Sequence, residues 1–233
     1  MDGFFTFAAE RIIPTLDAGL WTSILMIIPA SLLGVFIGVS VGAIRVYGPR
    51  PLARACDGYV SLFRGTPLVV QLYFWYFALP YVTIGGVSLV LSPIWAAIVG
   101  FGLCSGAYQS EYIRGGLLSI KHGQLRAAQA LGMTPFQTIR SIVMPQAFRR
   151  ALPGCGNEIV YLIKYSSLAS IITVSDLTGM GRSLAKSSFR NTEVFVVVGL
   201  YYLALVTVAA FVLRVVEKKL EIPGFEVKRD EQS

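Results

Sequence analysis

Residues 18–44 read AGLWTSILMIIPASLLGVFIGVSVGAI, twenty-seven positions without a charged side chain. A helix needs about 20 consecutive apolar residues to cross the hydrocarbon of a bilayer, so this run predicts a membrane span. A second uncharged run, Gly65 to Ser110, is long enough for two crossings, with turn signals at Leu79-Pro80 and Ile84-Gly85-Gly86 between them. A third is Val194 to Leu213, and the apolar stretch Ile159 to Val174 is interrupted by Lys164. The chain as a whole agrees: 55% of its residues are hydrophobic and 14% charged, against about 25% charged in soluble domains. The reading is an all-α integral membrane protein, one domain over 1–233, with about five spans at roughly 17–45, 57–80, 91–118, 151–175 and 193–216. No soluble domain and no internal repeat is visible.

Charge supplies the orientation. Arg45, Arg50 and Arg54 follow the first span, and Lys121, Arg126, Arg140, Arg149 and Arg150 follow the third, with Arg114 just before them. The tail holds Arg214, Lys218, Lys219, Lys228 and Arg229. The other side has Arg11 and the group Arg182, Lys186 and Arg190. Lys and Arg favour the cytoplasm, so the expected topology is N-out/C-in. The net charge of +7 is then mostly a topology signal, split across separate loops, and no nucleic-acid partner is expected. Asp2 and Glu10 stand where a cleaved signal peptide would carry basic residues, so no such peptide is read. Cys56, Cys104 and Cys155 fall at no metal-ligand spacing and are expected to be small apolar residues without a disulfide.

Arg64, Glu111, Arg114 and Lys164 lie in or beside the spans. Charge facing lipid is costly there, so they are expected to face protein, a wet cavity or an interface. Glu111 and Arg114 are three apart and can pair on one helix face. Asn157, Tyr161, Lys164 and Leu168 share a stripe. Gly65-Thr66-Pro67 should break or kink span two, because glycine is permissive and proline lacks a donor. The aromatic run Tyr73 to Phe77 reads as interface belt and packing.

The chain lacks a phosphate-binding loop, a nucleophile motif and a second His or Cys beside His122. It is therefore not read as an enzyme. Uphill transport would draw on an ion gradient or on another subunit.

The polar stretch GQLRAAQALGMTPFQTIRSIVMP, Gly123 to Pro145, bears on that choice. Gln124 to Leu131 favours helix. Gly132 suits a C-terminal cap with positive φ. Thr134-Pro135-Phe136-Gln137 is a capping box with proline at the first helical position. Phe136, Ile139 and Val143 are expected on one apolar face, and Pro145 is expected to end or kink the helix. Two short helices would meet at a sharp elbow, either docking another subunit or connecting spans as an ordinary helix–turn–helix.

The spacing Ala127-Ala128, Gly132, Ile142, Met144-Pro145 resembles the EAA loop of ABC-importer permeases (EAA, three residues, Gly, nine residues, I-x-L-P). Four further segments resemble the polar amino-acid branch of type I ABC importers, the histidine/glutamine/arginine type. They are Gly19 to Ser23, then Phe63-Arg64-Gly65-Thr66-Pro67 onward to Leu72, then Gly106-Ala107-Tyr108 with Glu111 and Arg114-Gly115, and finally Asn157-Glu158 with Lys164 to Ile172. One position departs: Arg126 stands where the loop carries its glutamate. The resemblance implies a type I permease architecture in the bacterial inner membrane, importing a polar amino acid or a related compound such as an opine or cystine. It implies an ATPase dimer docked at Arg126, Ala127, Ala128, Gly132, Ile142, Met144 and Pro145, with ATP and Mg on that partner and no cofactor in this chain. It also implies a second permease copy or homologue and an extracytoplasmic solute-binding protein. Candidates along the substrate path are Glu158, Glu111, Asn157, Tyr108, Ser166 and Ser167. The two glutamates would either accept a solute ammonium or form structural pairs, with Glu158 offsetting Lys164 or Arg114 beside a break at Gly154-Cys155-Gly156. The alternative function is a secondary transporter or channel subunit working without ATP.

Overall fold

The computed structural model describes residues 2–84 and 86–220. Lys228 and Arg229, which entered the charge reading of the tail, and Gly85 lie outside the described residues. The described residues are almost wholly helical: α1 (Asp2–Phe7), α2 (Ile13–Tyr47), α3 (Arg50–Gly65), α4 (Leu68–Tyr73), α5 (Pro93–Leu118), α6 (His122–Ala130), α7 (Pro135–Thr138), α8 (Met144–Tyr165), α9 (Leu177–Ser188) and α10 (Asn191–Leu220). A two-residue antiparallel hairpin, β1 (Thr83–Ile84) with β2 (Val87–Ser88), turns at Gly86, whose φ is +83°.

The first span lies within α2, which continues the N-terminal helix through a π-helical turn at Ala8–Ile12. Its 35 residues extend about 50 Å. It is apolar all round because one side meets protein while Trp21, Leu25, Ile28, Leu32 and Phe36 stay exposed for lipid. Its partner is α5, and the two form the most extensive helix pair in the chain. Gly34, Gly38 and Gly42 make this possible. A Cβ on Gly38 would lie 2.6 Å from Cβ of Gln109, and one on Gly42 would lie 2.8 Å from Ile113. In return Gly102 and Gly106 of α5 receive Leu33 and Ile37. Small residues let membrane helices pack at close range. Enclosed this way, α5 buries Ser105, Gln109 and Ser110. Its sequence is less uniformly apolar than that of a lipid-facing helix because protein surrounds it.

Span two is broken where the sequence predicts it. Helix α3 stops at Gly65, Thr66 and Pro67 are extended (ψ 144° and 134°), and α4 begins at Leu68. The carbonyls freed by the break are claimed by Gln71, four residues past the proline. Its Nε2 donates to Phe63 O at 2.8 Å, Thr66 O at 3.1 Å and Thr66 Oγ1 at 2.9 Å. Of the aromatic run, Tyr73, Phe74 and Phe77 are exposed while Trp75 and Tyr76 pack on the core.

Span four corrects three expectations. The helix is not ended by Pro145. It runs from α7 through a π-helical turn at Ile139–Val143 straight into α8, with Pro145 in its first turn. The wider turn accommodates a residue that cannot donate. Nor does Gly154-Cys155-Gly156 break α8. A Cβ on Gly154 would meet the Tyr112 ring at 2.4 Å, and one on Gly156 would meet Leu213 at 2.0 Å. These glycines serve close packing of α5 and α10. Finally, the stretch to 175 is not one α-helix. A 3-10 run at Ser166–Ile172 ends at Thr173 with φ +67°, and α9 follows, a helix that the sequence reading left as connecting chain. The two arms meet at a bend of 52°. Buried Asp176 caps α9, accepting from Gly179 N at 3.0 Å and Thr178 N at 3.2 Å.

The main core gathers Met26, Ala30, Leu72, Phe101, Leu162 and Ile172 between α2, α4, α5 and α8. A second cluster, with Leu16, Leu177, Leu184 and Val198, ties α9 and α10 to the start of α2. Helix α10 also packs Leu205, Val206 and Ala209 on the main core, and it presents Val196, Leu200, Leu203, Phe211 and Val212 outward. The three cysteines are free; Cys104 is buried and the other two half-buried.

Candidate functional site

The elbow between α5 and α8 is built as its sequence implies. Helix α6 ends in a full Schellman cap: Gly132 N donates to Gln129 O at 2.9 Å and Met133 N to Ala128 O at 3.1 Å, with Gly132 at φ +74°. The capping box is complete, Thr134 N donating to Gln137 Oε1 at 2.8 Å and Gln137 N to Thr134 Oγ1 at 3.3 Å. Two helices therefore leave one rigid corner at set angles. Ala128 is buried and anchors the corner, Ile142 is half-buried, and Arg126, Ala127, Gly132, Met144 and Pro145 are exposed. Phe136 corrects its expected place: it does not join Val143 on the inner face but is 71% exposed, and Leu131 is 81% exposed.

Beneath the corner, Val143 and Ala147 pack with Leu117 and Ile120 at the end of α5, and Val46 of α2 closes the cluster. The carbonyl of Ala147 would lie 2.6 Å from a Cβ on Gly116, and Arg150 Nη1 donates to Ser119 O at 2.5 Å. The exposed corner is thus joined to the ends of α5 and α8 by close packing rather than by a flexible loop. The surface is cationic. No Asp or Glu occurs between Glu111 and Glu158, while Arg114, Lys121, Arg126, Arg140, Arg149 and Arg150 do.

The second constellation lies along α3, α5 and α8. Glu111 is the hub of an ion cluster. Its Oε1 takes Arg45 Nη1 at 2.9 Å and Arg64 Nη1 at 3.3 Å, and its Oε2 takes Arg114 Nη2 at 2.9 Å. Arg45 Nε also binds Asp57 at 2.6 Å. The expected Glu111–Arg114 pair forms, and of the two roles left open for Glu111 the geometry favours the structural one. Arg64 lies over the Tyr108 ring at 5.2 Å. On the adjoining stripe of α8, Asn157, Tyr161, Lys164 and Tyr165 are exposed together. Lys164 Nζ sits 4.8 Å over the Tyr161 ring, which stacks on Tyr165. So many cationic and hydroxyl groups on one flank of otherwise apolar helices cannot face lipid cheaply. This flank suits a wet cavity or a second subunit.

Glu158 is buried, 5% exposed. Among the described residues no ion pair within 4 Å involves it, so it offsets neither Lys164 nor Arg114. The Ser105 hydroxyl lies near its carboxylate and accepts from Gln109 Nε2 at 3.1 Å. Ser166 is buried and donates to Ile163 O at 2.7 Å, and Ser167 donates to Lys164 O at 2.8 Å. Both hydroxyls are turned to their own helix. Asp57, Ser105 and Gln109 escaped the sequence reading, Arg45 entered it only as a topology charge, and Gln71 only within a matched segment. A glutamine four residues after a mid-span proline was a usable signal for Gln71; the others become visible only once α2, α3, α5 and α8 are side by side. No group of three or more His, Cys, Asp or Glu that could hold a metal occurs among the described residues.

A profile of the family described as "Binding-protein-dependent transport system inner membrane component" matches residues 18–222. The glutamine transport system permease protein of Escherichia coli (strain K12) is 37% identical over 203 residues, spanning 87% of this chain and 90% of that protein. The nopaline transport system permease protein of Agrobacterium fabrum (strain C58 / ATCC 33970) is 35% identical over 209 residues, spanning 88% and 87%. A solved structure described as an amino acid ABC transporter with histidines superposes with a TM-score of 0.83 at 27% identity, covering 91% of this chain and 97% of that one.

Proposed function

The chain belongs to the family of binding-protein-dependent transport system inner membrane components, and we propose that it moves a polar amino acid or a related compound, such as an opine or cystine, into the bacterial cytoplasm. It is a multi-pass permease subunit of an ABC importer, and ATP hydrolysis is the work of a separate subunit. The observation that carries the mechanism is the capped, outward-facing corner between α5 and α8, packed directly against the ends of those helices. In this reading two ATPase subunits dock on residues 123–145, holding ATP and Mg. Closure of the ATPase dimer pushes the corner, and α5 and α8 tilt with it. The flank bearing Tyr108, Asn157, Tyr161 and Lys164 lines the path against a second copy or a homologous permease. A solute-binding protein delivers cargo on the outer face. The chain crosses five times, N-out/C-in, and Arg126 meets an acidic group of its ATPase. No feature of the family favours the ATP-independent alternative.

The test is uptake by vesicles holding the complete complex with its binding protein, using glutamine, arginine, cystine and octopine as probes. Uptake should require ATP and the binding protein. Equal uptake with a hydrolysis-dead ATPase would refute the proposal.

A further inference from the structure

The geometry points to a carboxylate-binding station formed by Arg64 and Arg114 on the flank of α3 and α5, one that takes the carboxylate of the translocated amino acid. This rests on the transport reading above. The ion cluster holds three arginines, Arg45, Arg64 and Arg114, against two acids, Asp57 and Glu111, so one positive charge is left over. The surplus is not evenly spread. The Arg45 side chain is 10% exposed and bound by both acids, whereas Arg64 and Arg114 are 41% and 38% exposed and, among the described residues, pair with no acid but Glu111. A guanidinium has five N–H donors. Arg64 spends one nitrogen on Glu111, and Arg114 spends two. No acid among the described residues takes the remaining donors.

Two further features make this an anion site rather than a surplus left to water. Arg64 is held over the face of Tyr108, which fixes its plane without neutralising it. Arg114 also sits in α5, whose only other charged residue is Glu111, and an uncompensated charge in so apolar a helix is costly, a cost that an arriving anion relieves. A planar carboxylate matches the guanidinium fork. Glu111, by contrast, has no free capacity for an ammonium: it is shared by three arginines. On this flank the solute is therefore recognised by its carboxylate, and its ammonium meets the exposed ring of Tyr112.

The same chemistry would hold a lipid phosphate, and one experiment separates the two. The complete complex is prepared in phosphatidylcholine nanodiscs with 3-fluorotyrosine at position 108, and its fluorine resonance is followed while acetate, acetamide or inorganic phosphate is added. Acetate should shift the resonance saturably, and acetamide, its uncharged counterpart, should bind at least about tenfold more weakly. Arg114→Gln and Arg64→Gln should each weaken the acetate response at least about fivefold. No saturable shift, or equal responses to acetate and acetamide, overturns the station. Normal acetate binding in both variants does so too. If either variant fails to fold, the acetate-to-acetamide ratio of the unaltered protein decides alone. Phosphate binding about tenfold tighter than acetate, with the acetate response lost when phosphatidylglycerol is added, assigns the site to a lipid headgroup and overturns the solute reading. Failure of amino-acid uptake in the vesicle assay would sink the transport proposal without altering this titration.

Discussion

Glu111→Gln is the perturbation that weighs the ion cluster best, because it keeps the side-chain shape and removes the charge that three arginines share. The three pairs are not equal. Arg45 is 10% exposed and approaches at 2.9 Å, so its charge-assisted bond is made largely out of water and is worth about 1.5–3 kcal/mol. Arg114 is at the same distance but 38% exposed and on the same helix, where such pairs contribute about 0.3–0.5 kcal/mol. Arg64 is longer, at 3.3 Å, and 41% exposed, which keeps it below about 1 kcal/mol. Glu111→Gln should therefore destabilise the folded chain by about 2–4 kcal/mol, mostly through Arg45. The assay is reversible unfolding in mixed micelles, run as double-mutant cycles with Arg45→Gln, Arg64→Gln and Arg114→Gln. The Arg45 coupling should exceed the Arg114 coupling by about 1 kcal/mol or more. Equal couplings, or a larger one to Arg114, would refute the claim that burial ranks these pairs.

Gly132→Val forces a β-branched residue to φ +74°, at a cost of about 1–2 kcal/mol. Membrane insertion should be normal, while ATPase co-purification or transport is lost; unchanged uptake with bound ATPase contradicts the role of the corner. Glu158→Gln should leave protein level unchanged, since no ion pair is broken, and loss of Lys164 or Arg114 should bring no rescue. If Glu158 takes the solute ammonium, uptake per inserted complex falls about tenfold to over a hundredfold, and wild-type kinetics would remove it from the path. Gly38→Leu should separate α2 from α5, because even a Cβ there lies 2.6 Å from Gln109; the expected result is a sharp loss of inserted protein, and normal levels would show that the close approach is dispensable. A reporter fused after Ser233 should be active only in its cytoplasmic form, and an externally labelled C-terminus would reverse the proposed topology.

What the sequence determined by itself was everything carried by local physics. Uncharged runs marked helices that must shed water. Gly132, Thr134, Pro135 and Gln137 specified their corner because caps and boxes act over three or four residues. The break at Gly65-Thr66-Pro67 was legible for the same reason. Local signals misled where a neighbour overrode them. Gly154 and Gly156 look like a break but stay helical because Tyr112 and Leu213 need the space. Pro145 looks like a stop but is absorbed by a π-helical turn. The spacing Gly34, Gly38, Gly42 was a usable close-packing signal, yet only the fold identifies α5 as its partner. Beyond the Glu111–Arg114 pair, the ion cluster was out of reach of the sequence. Arg45, Asp57, Arg64 and Glu111 come from three helices, and which arginine is buried and which keeps free donors depends on how those helices pack. Capping and hydropathy are decided within a turn or a span. Charge pairing and burial are decided by residues far apart in the chain, and those meet only in the tertiary structure.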